Sequence, residues 1–283
     1  MSLPPQYRDE PASPTPASKP KGYGTTPLNH DGADAPLFGQ SSSQANAWTH
    51  SPGADDDLPD DFKVGVAVID CDAVIRLAFI RKVYSILFVQ LLATTLVSLA
   101  LSLPAAADFM HEHAWIIWIP MLGSFASLFG VYWKRHQHPA NLILLGLFTL
   151  FEAMLVGTVV SYYESRIVLQ ALFITLGIFV GLTLFTFQTK FDFSSFAPFL
   201  FAGLMGVLTV SLVQIFLPFN ANVDLAIAGF SVLLFSGFIL YDTQQIMKRY
   251  SVDEAIIGAM ALYLDAINLF LSVLRVLNNS ENR

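Results

Sequence analysis

Two aspartates carry the chemistry this chain can do. Asp242 lies in the run GFSVLLFSGFILYDTQQIMKRY and Asp265 in AMALYLDAINLFLSVL, with SVDEAIIG between them. A carboxylate inside an apolar spanning segment costs at least ~2.5 kcal/mol near the bilayer centre, so such residues mark function by default. Asp242 stands six residues before Lys248, about 9 Å along a helix axis, and Asp265 eleven residues after Glu254, about 16 Å in. Antiparallel neighbours joined by a short loop can bring the two carboxyls together. Touching carboxyls share one proton rather than both ionising. Loss of that proton sets two charges side by side, which makes a pH-sensitive latch or a transient cation site at Asp242 and Asp265. The competing reading is structural: each aspartate caps a kinked helix or pairs with a lysine.

Other polar residues fall in place around this pair. Gln244 and Asn268 could orient the carboxylates by hydrogen bonds. Glu152, in LFTLFEAMLVG, is either part of a cation path or an acid bonded to a neighbouring helix. Lys134 and Arg135 could neutralise the aspartates or snorkel as interfacial anchors. The pairs His111/His113 and His136/His138 are weak metal signals, with no cysteine or carboxylate at ligand spacing. Gly177, Gly181, Gly203 and Gly206 suit close helix packing.

The elements that must position these residues are seven apolar runs, near 83–103, 114–133, 140–162, 167–188, 195–217, 225–247 and 255–277, each about the ~20 residues needed to cross the hydrocarbon. A juxtamembrane segment, 63–82, precedes them as a short interfacial helix, and 278–283 form a C-terminal tail. Arg76, Arg81, Lys82, Lys134, Arg135, Lys190, Lys248 and Arg249 all fall on one side of this alternation, which puts the N-terminus in the cytosol. A full seventh crossing leaves the C-terminus on the opposite side; a re-entrant one, suggested by Asp265, Asn268 and Arg275, returns it. The sequon at Asn278 lies too close to the membrane to be used.

Composition agrees. Of 283 residues 54% are hydrophobic and 13% charged, about half the charge of a soluble chain. The net charge of −7 is concentrated in residues 1–62, with nine acidic and three basic residues; the balance of the rest argues against nucleic acid. A single cysteine, Cys71, excludes an intrachain disulfide. No apolar core marks residues 1–20 as a secretory signal, so the first span serves as the targeting signal. Residues 1–62 hold ten of the fifteen prolines and no periodic apolar pattern, and read as a disordered cytosolic tail. Within it Pro4-Pro5-Gln6-Tyr7 is a PPxY sequence, either chance or a ligand for a WW-domain ubiquitin ligase.

Several stretches resemble a known family. Phe79-Ile80-Arg81-Lys82-Val83-Tyr84, Leu169-Gln170-Ala171 through Phe187-Gln188-Thr189-Lys190-Phe191-Asp192-Phe193, Gly237 to Gln244 and Leu262 to Phe270 together resemble the Lifeguard branch of the transmembrane Bax inhibitor motif family, in order, over about residues 76–277. The resemblance implies an all-α membrane protein with six helices around a central seventh. It also implies a pH-dependent calcium leak from an intracellular store, suppression of cell death, and partners among cell-death regulators. The family's paired aspartates correspond to Asp242 and Asp265, and a cytosolic arginine that latches them to Arg135, or else Lys134. The helix 2 glutamate of bacterial relatives has no counterpart here, which leaves Glu152 as the alternative acid.

The expectation is therefore a non-enzymatic calcium (cation) leak channel gated by the aspartate pair, with calcium as permeant ion and no cofactor. Its expected home is the endoplasmic reticulum, with Golgi or vacuole as alternatives. The runner-up is a membrane adaptor acting through its tail. An intramembrane aspartyl protease suits two membrane aspartates but not the YLDAIN context, and a proton-coupled transporter finds no internal repeat.

Overall fold

The computed structural model describes residues 67–217 and 219–281. The tail, its PPxY motif at Pro4, Pro5 and Tyr7, and the start of the juxtamembrane segment lie outside the described residues. The described chain is helical throughout and contains no strand: α1 Ala73–Leu101, α2 Pro104–Glu112, α3 Trp118–Trp133, α4 Ala140–Val160, α5 Ser165–Gln188, α6 Ala197–Phe216, α7 Ala221–Lys248 and α8 Ala255–Glu281, with short 3₁₀ turns at Val68–Asp70, Ala114–Ile117, Phe193–Phe196 and Val252–Glu254. All but α2 belong to segments long and apolar enough to cross a membrane, seven in number. In hydrocarbon each segment must satisfy its own backbone groups, and the α-helix does so.

Because the spans are apolar all round, size rather than polarity separates the faces. On α5 the buried residues are Ile167, Ala171, Thr175, Phe179, Thr183 and Thr186, a single stripe at helical spacing. The exposed ones include Leu169, Phe173, Leu176 and Leu184. Four of the six buried residues are small or hydroxylated, which suits close packing where lipid tails are as apolar as leucine. α1 also buries one stripe, of larger residues: Phe79, Val83, Leu87, Gln90 and Thr94.

α8 differs. Fifteen of its residues are buried, on every face, among them Tyr263, Leu262, Leu269 and Leu274. It packs against α7, α5, α1 and α4, while α3 packs chiefly on α4 and α6 on α7. α8 is the centre, with four helices directly around it and two in an outer position; α6 buries no residue at all.

Two expectations change. Residues 73–82 form no separate interfacial helix, because α1 runs without a break from Ala73, so Arg76, Arg81 and Lys82 ride on its first turns. The final helix does not turn back on itself: α8 is unbroken from Ala255 to Glu281. Its far end is held by Arg275, whose Nε donates to Asp224 Oδ2 at 2.9 Å at the start of α7, so α8 spans the full length of its neighbour. Of the four glycines expected at helix contacts, Gly203 faces Leu234, but a Cβ on Gly177, Gly181 or Gly206 would meet nothing within 4 Å.

Candidate functional site

The site is built by α7 and α8 and the loop that joins them. The loop starts where α7 ends at Lys248 and closes with a capping box, in which the Ser251 amide donates to Glu254 Oε2 at 3.2 Å and the Ser251 side chain accepts from the Glu254 backbone. This tight reversal keeps the helices adjacent and places the Asp242 and Asp265 carboxyls within hydrogen-bonding reach of each other. Asp265 is 7% exposed and its Oδ2 has no hydrogen-bond partner in the protein. Neither aspartate is in a salt bridge among the described residues; Lys248 instead lies 3.9 Å from Asp192.

Asp242 opens onto a vestibule of about 280 Å³, lined also by Tyr241, Gln245, Arg249, Tyr250 and Glu254. Burial, and then the nearby Asp242, push the Tyr250 hydroxyl above the ordinary tyrosine range. At the rim Arg135, from the loop after α3, lies 3.4 Å from Glu254 Oε1. Arg135 therefore bonds an acid of the vestibule and not the aspartate pair. The chain before α1 closes one flank: Ala67 bridges Ser251, and the Val68 amide donates to the Tyr250 carbonyl at 2.9 Å.

On the opposite side a slot of about 570 Å³ enters between α1 and α5, with α4 and α8 behind it. Ala266 and Ile267 on α8 line it, so it reaches to one residue from Asp265. The aspartate pair thus stands between a vestibule at one end and a slot from the other.

The remaining expected residues have different work. Gln244 does not orient a carboxylate. Its Nε2 donates to the Phe191 carbonyl at 2.7 Å and its Oε1 accepts from the Phe193 amide at 2.7 Å, which fastens the α5–α6 link to α7. Asn268 donates to the Leu264 carbonyl of its own helix at 2.8 Å. Gln244 thus satisfies two backbone groups of the link that precedes α6, while Asn268 adds a second donor to a carbonyl of its own helix. Glu152 accepts a hydrogen bond from Ser124 Oγ across the α3–α4 contact, and it does not line the vestibule. Lys134 Nζ donates to Gln137 Oε1 at 3.3 Å within its own loop. His111 stacks on Tyr162, and His113 stacks on Phe109. Among the described residues no group of three or more His, Cys, Asp or Glu side chains could hold a metal ion.

Sequence reasoning missed two sets of residues. Glu254 was legible as a capping-box acid in SVDE, but not as the partner of Arg135, which is 119 positions away. Asp224, which falls between the apolar runs 195–217 and 225–247, receives Arg275, Gln214 and Asn279. Its signal was the lone arginine in an apolar helix, which demands an acid.

A bundle of seven spanning helices wrapped on its last member, with a buried carboxyl pair at the α7–α8 contact, defines a class of all-α multi-pass membrane protein. Residues 76–282 match the family model described as "Inhibitor of apoptosis-promoting Bax1". Bax inhibitor 1 of Schizosaccharomyces pombe is 39% identical over 264 residues, covering 93% of this chain and 98% of its own. Protein lifeguard 4 of Mus musculus is 43% identical over 221 residues, 78% of this chain and 92% of its own. The Golgi anti-apoptotic protein of Vaccinia virus (strain Lister) is 38% identical over 227 residues, 80% of this chain and 95% of its own. The chain belongs to the Bax inhibitor family.

Proposed function

We propose that this protein is a pH-sensitive calcium (cation) leak channel of an intracellular membrane, with the Asp242–Asp265 pair as sensor and gate. The observation that carries the reading is Asp265: a nine-tenths buried carboxyl with a free oxygen, in contact with an aspartate that opens to a vestibule. A shared proton holds the two carboxyls together. Its loss sets like charges in contact, which either separate α7 from α8 or recruit a cation between them. The Arg135–Glu254 pair at the rim sets how much negative charge the vestibule offers an arriving cation. In a rearranged state Arg135 could leave Glu254 and latch onto Asp242.

The names of the relatives support a part in restraining cell death, and with it partners among cell-death regulators. The viral relative's name favours the Golgi, and the wider resemblance the endoplasmic reticulum. The distribution of basic residues supports a cytosolic vestibule. The PPxY motif supports a second reading, a tail-borne adaptor that recruits a WW-domain ubiquitin ligase.

The test is calcium flux from proteoliposomes stepped across about pH 6 to 8, because two coupled carboxyls lose their protons in separate steps. Wild type is expected to change flux with pH, and Asp242→Asn and Asp265→Asn to lose that dependence. Unchanged pH dependence in both variants refutes the sensor. No flux from folded wild-type protein turns the reading to the adaptor, for which Tyr7→Ala abolishes the cellular effect.

A further inference from the structure

The link between α7 and α8, residues 249–254, supplies three of the residues that line the vestibule: Arg249, Tyr250 and Glu254. Whatever holds this link therefore shapes the approach to Asp242. The capping box holds it from within, and the Arg135–Glu254 pair holds it from the rim. Its middle is gripped from the other end of the chain, by residues 67–71. Ala67 forms an antiparallel bridge with Ser251, and the Val68 amide donates to the Tyr250 carbonyl at 2.9 Å. Tyr250 thus meets Val68 through its carbonyl and also lines the vestibule.

Val68 is the anchor of this grip. It is fully buried and belongs to the main apolar core, and the turn Val68–Asp70 rests on both α7 and α1. The link is in this way tied to α1 as well as to its own two helices. The tie is nevertheless slight. Around Val68 the chain is open: Ile69, Asp70 and Asp72 are all exposed. Two further hydrogen bonds stay inside the segment, from the Asp70 amide to the Ala67 carbonyl at 3.0 Å and from the Cys71 amide to the Val68 carbonyl at 3.3 Å. They survive whether or not the segment touches the link. A segment held by one buried side chain and few external hydrogen bonds opens far more often than the whole protein unfolds. α1 begins only at Ala73, so the segment can lift without disturbing a spanning helix.

We propose that residues 67–71 are a detachable strap that restrains the α7–α8 link and keeps the vestibule narrow. With Val68 seated, the link is fixed against α1 and α7, and the adjoining ends of α7 and α8 stay together. With Val68 lifted, Tyr250 and Ser251 lose their outside partners, and the link is free to follow a separation of α7 from α8. The effect on flux rests on the channel reading; the grip on the link does not. The strap is also where the 66 residues before Ala67 join the helical bundle. A partner that draws on the tail reaches the vestibule through Val68.

The test locks the strap and loosens it, on the full chain in proteoliposomes. Partners in an antiparallel bridge have Cα atoms about 4.5–5.5 Å apart, within the range of about 4.4–6.8 Å that a disulfide spans. Ala67→Cys/Ser251→Cys, made with Cys71→Ser so that only this pair can join, should cross-link on mild oxidation. The same protein kept reduced controls for the loss of the Ser251 cap. Val68→Ala loosens the strap: losing two buried carbons should raise the lifted fraction about tenfold.

Hydrogen exchange at residues 249–254 is the first readout. It should be about tenfold faster in Val68→Ala than in wild type, and slower in the cross-linked protein than in the reduced one. Calcium flux at one fixed pH is the second. It should rise in Val68→Ala, fall on cross-linking and recover with reductant. Failure to cross-link, or exchange that neither change affects, overturns the strap. Exchange that responds while a measurable wild-type flux does not overturns its control of the vestibule. Absence of any wild-type flux overturns the channel reading instead, and exchange alone then decides for or against the strap.

Discussion

Asp224→Ala should be among the most damaging single changes outside the aspartate pair. Asp224 receives Arg275 through Nε at 2.9 Å and again through Nη2, Gln214 Nε2 at 2.7 Å, and Asn279 Nδ2. It ties the starts and ends of α6, α7 and α8 at one point. The substitution leaves Arg275 with Gln214 Oε1 at 2.6 Å and no counter-charge. Removing one partner of a fully buried pair costs about 3–5 kcal/mol. Here the side chains are 16% and 29% exposed, so water relieves part of the penalty and about 2–3 kcal/mol is expected. Arg275→Met alone should cost a similar amount. Asp224→Leu/Arg275→Met should recover most of the loss, because apolar residues of like volume often replace a buried pair without penalty. The assay is a double-mutant cycle of reversible unfolding in mixed micelles. Singles that cost less than about 0.5 kcal/mol, or a double variant whose loss is the sum of the singles, would refute this view of the clamp.

The glycines give opposite expectations. A Cβ on Gly157 would lie 2.8 Å from Leu101 Cδ1 and 3.1 Å from the Ser98 Cα, so Gly157→Ala should separate α1 from α4 and lower the melting temperature. Gly177→Ala meets open space and should be neutral or stabilising by up to about 1 kcal/mol in the same melt. Gln244→Leu strands the Phe193 amide and the Phe191 carbonyl, and should destabilise by about 1–3 kcal/mol while leaving the pH profile of any flux in place. Tyr250 binds its proton more tightly folded than unfolded, so its contribution to stability is whole below about pH 10, the unfolded value, and is lost as pH rises beyond it. Tyr250→Phe should flatten the alkaline end of the stability curve without changing its course near neutrality.

The spans could be read from the sequence because hydrocarbon leaves few options: a run of about twenty apolar residues must be a helix. The approach of Asp242 to Asp265 was readable for a similar reason, since a six-residue link between antiparallel helices restricts where each carboxyl can lie. The centrality of α8 came from family resemblance rather than pattern, as its apolar run looks like the other six; only the packing distinguishes it. The partners of Arg135, Gln244 and Arg275 were not legible. Each contacts a residue 51 to 119 positions away, and several acceptors compete for every donor at the ends of a helical bundle. The glycines misled because Gly177, Gly181 and Gly206 look like contact residues by composition, yet helix rotation turns them away from any neighbour.

The burial of α8 has a consequence for biosynthesis. The helix that every inner neighbour leans on is the last of the seven to leave the ribosome. Until it arrives, Thr94 lacks the Tyr263 hydroxyl it meets at 2.8 Å, and Arg275 has not yet reached Asp224. The earlier helices must therefore wait in the membrane as an open ring with polar groups facing a gap. A chain interrupted at the α7–α8 loop is not a smaller version of this protein but a shell without its axle. That unfinished stage is when it is most exposed to the machinery that removes incomplete membrane proteins.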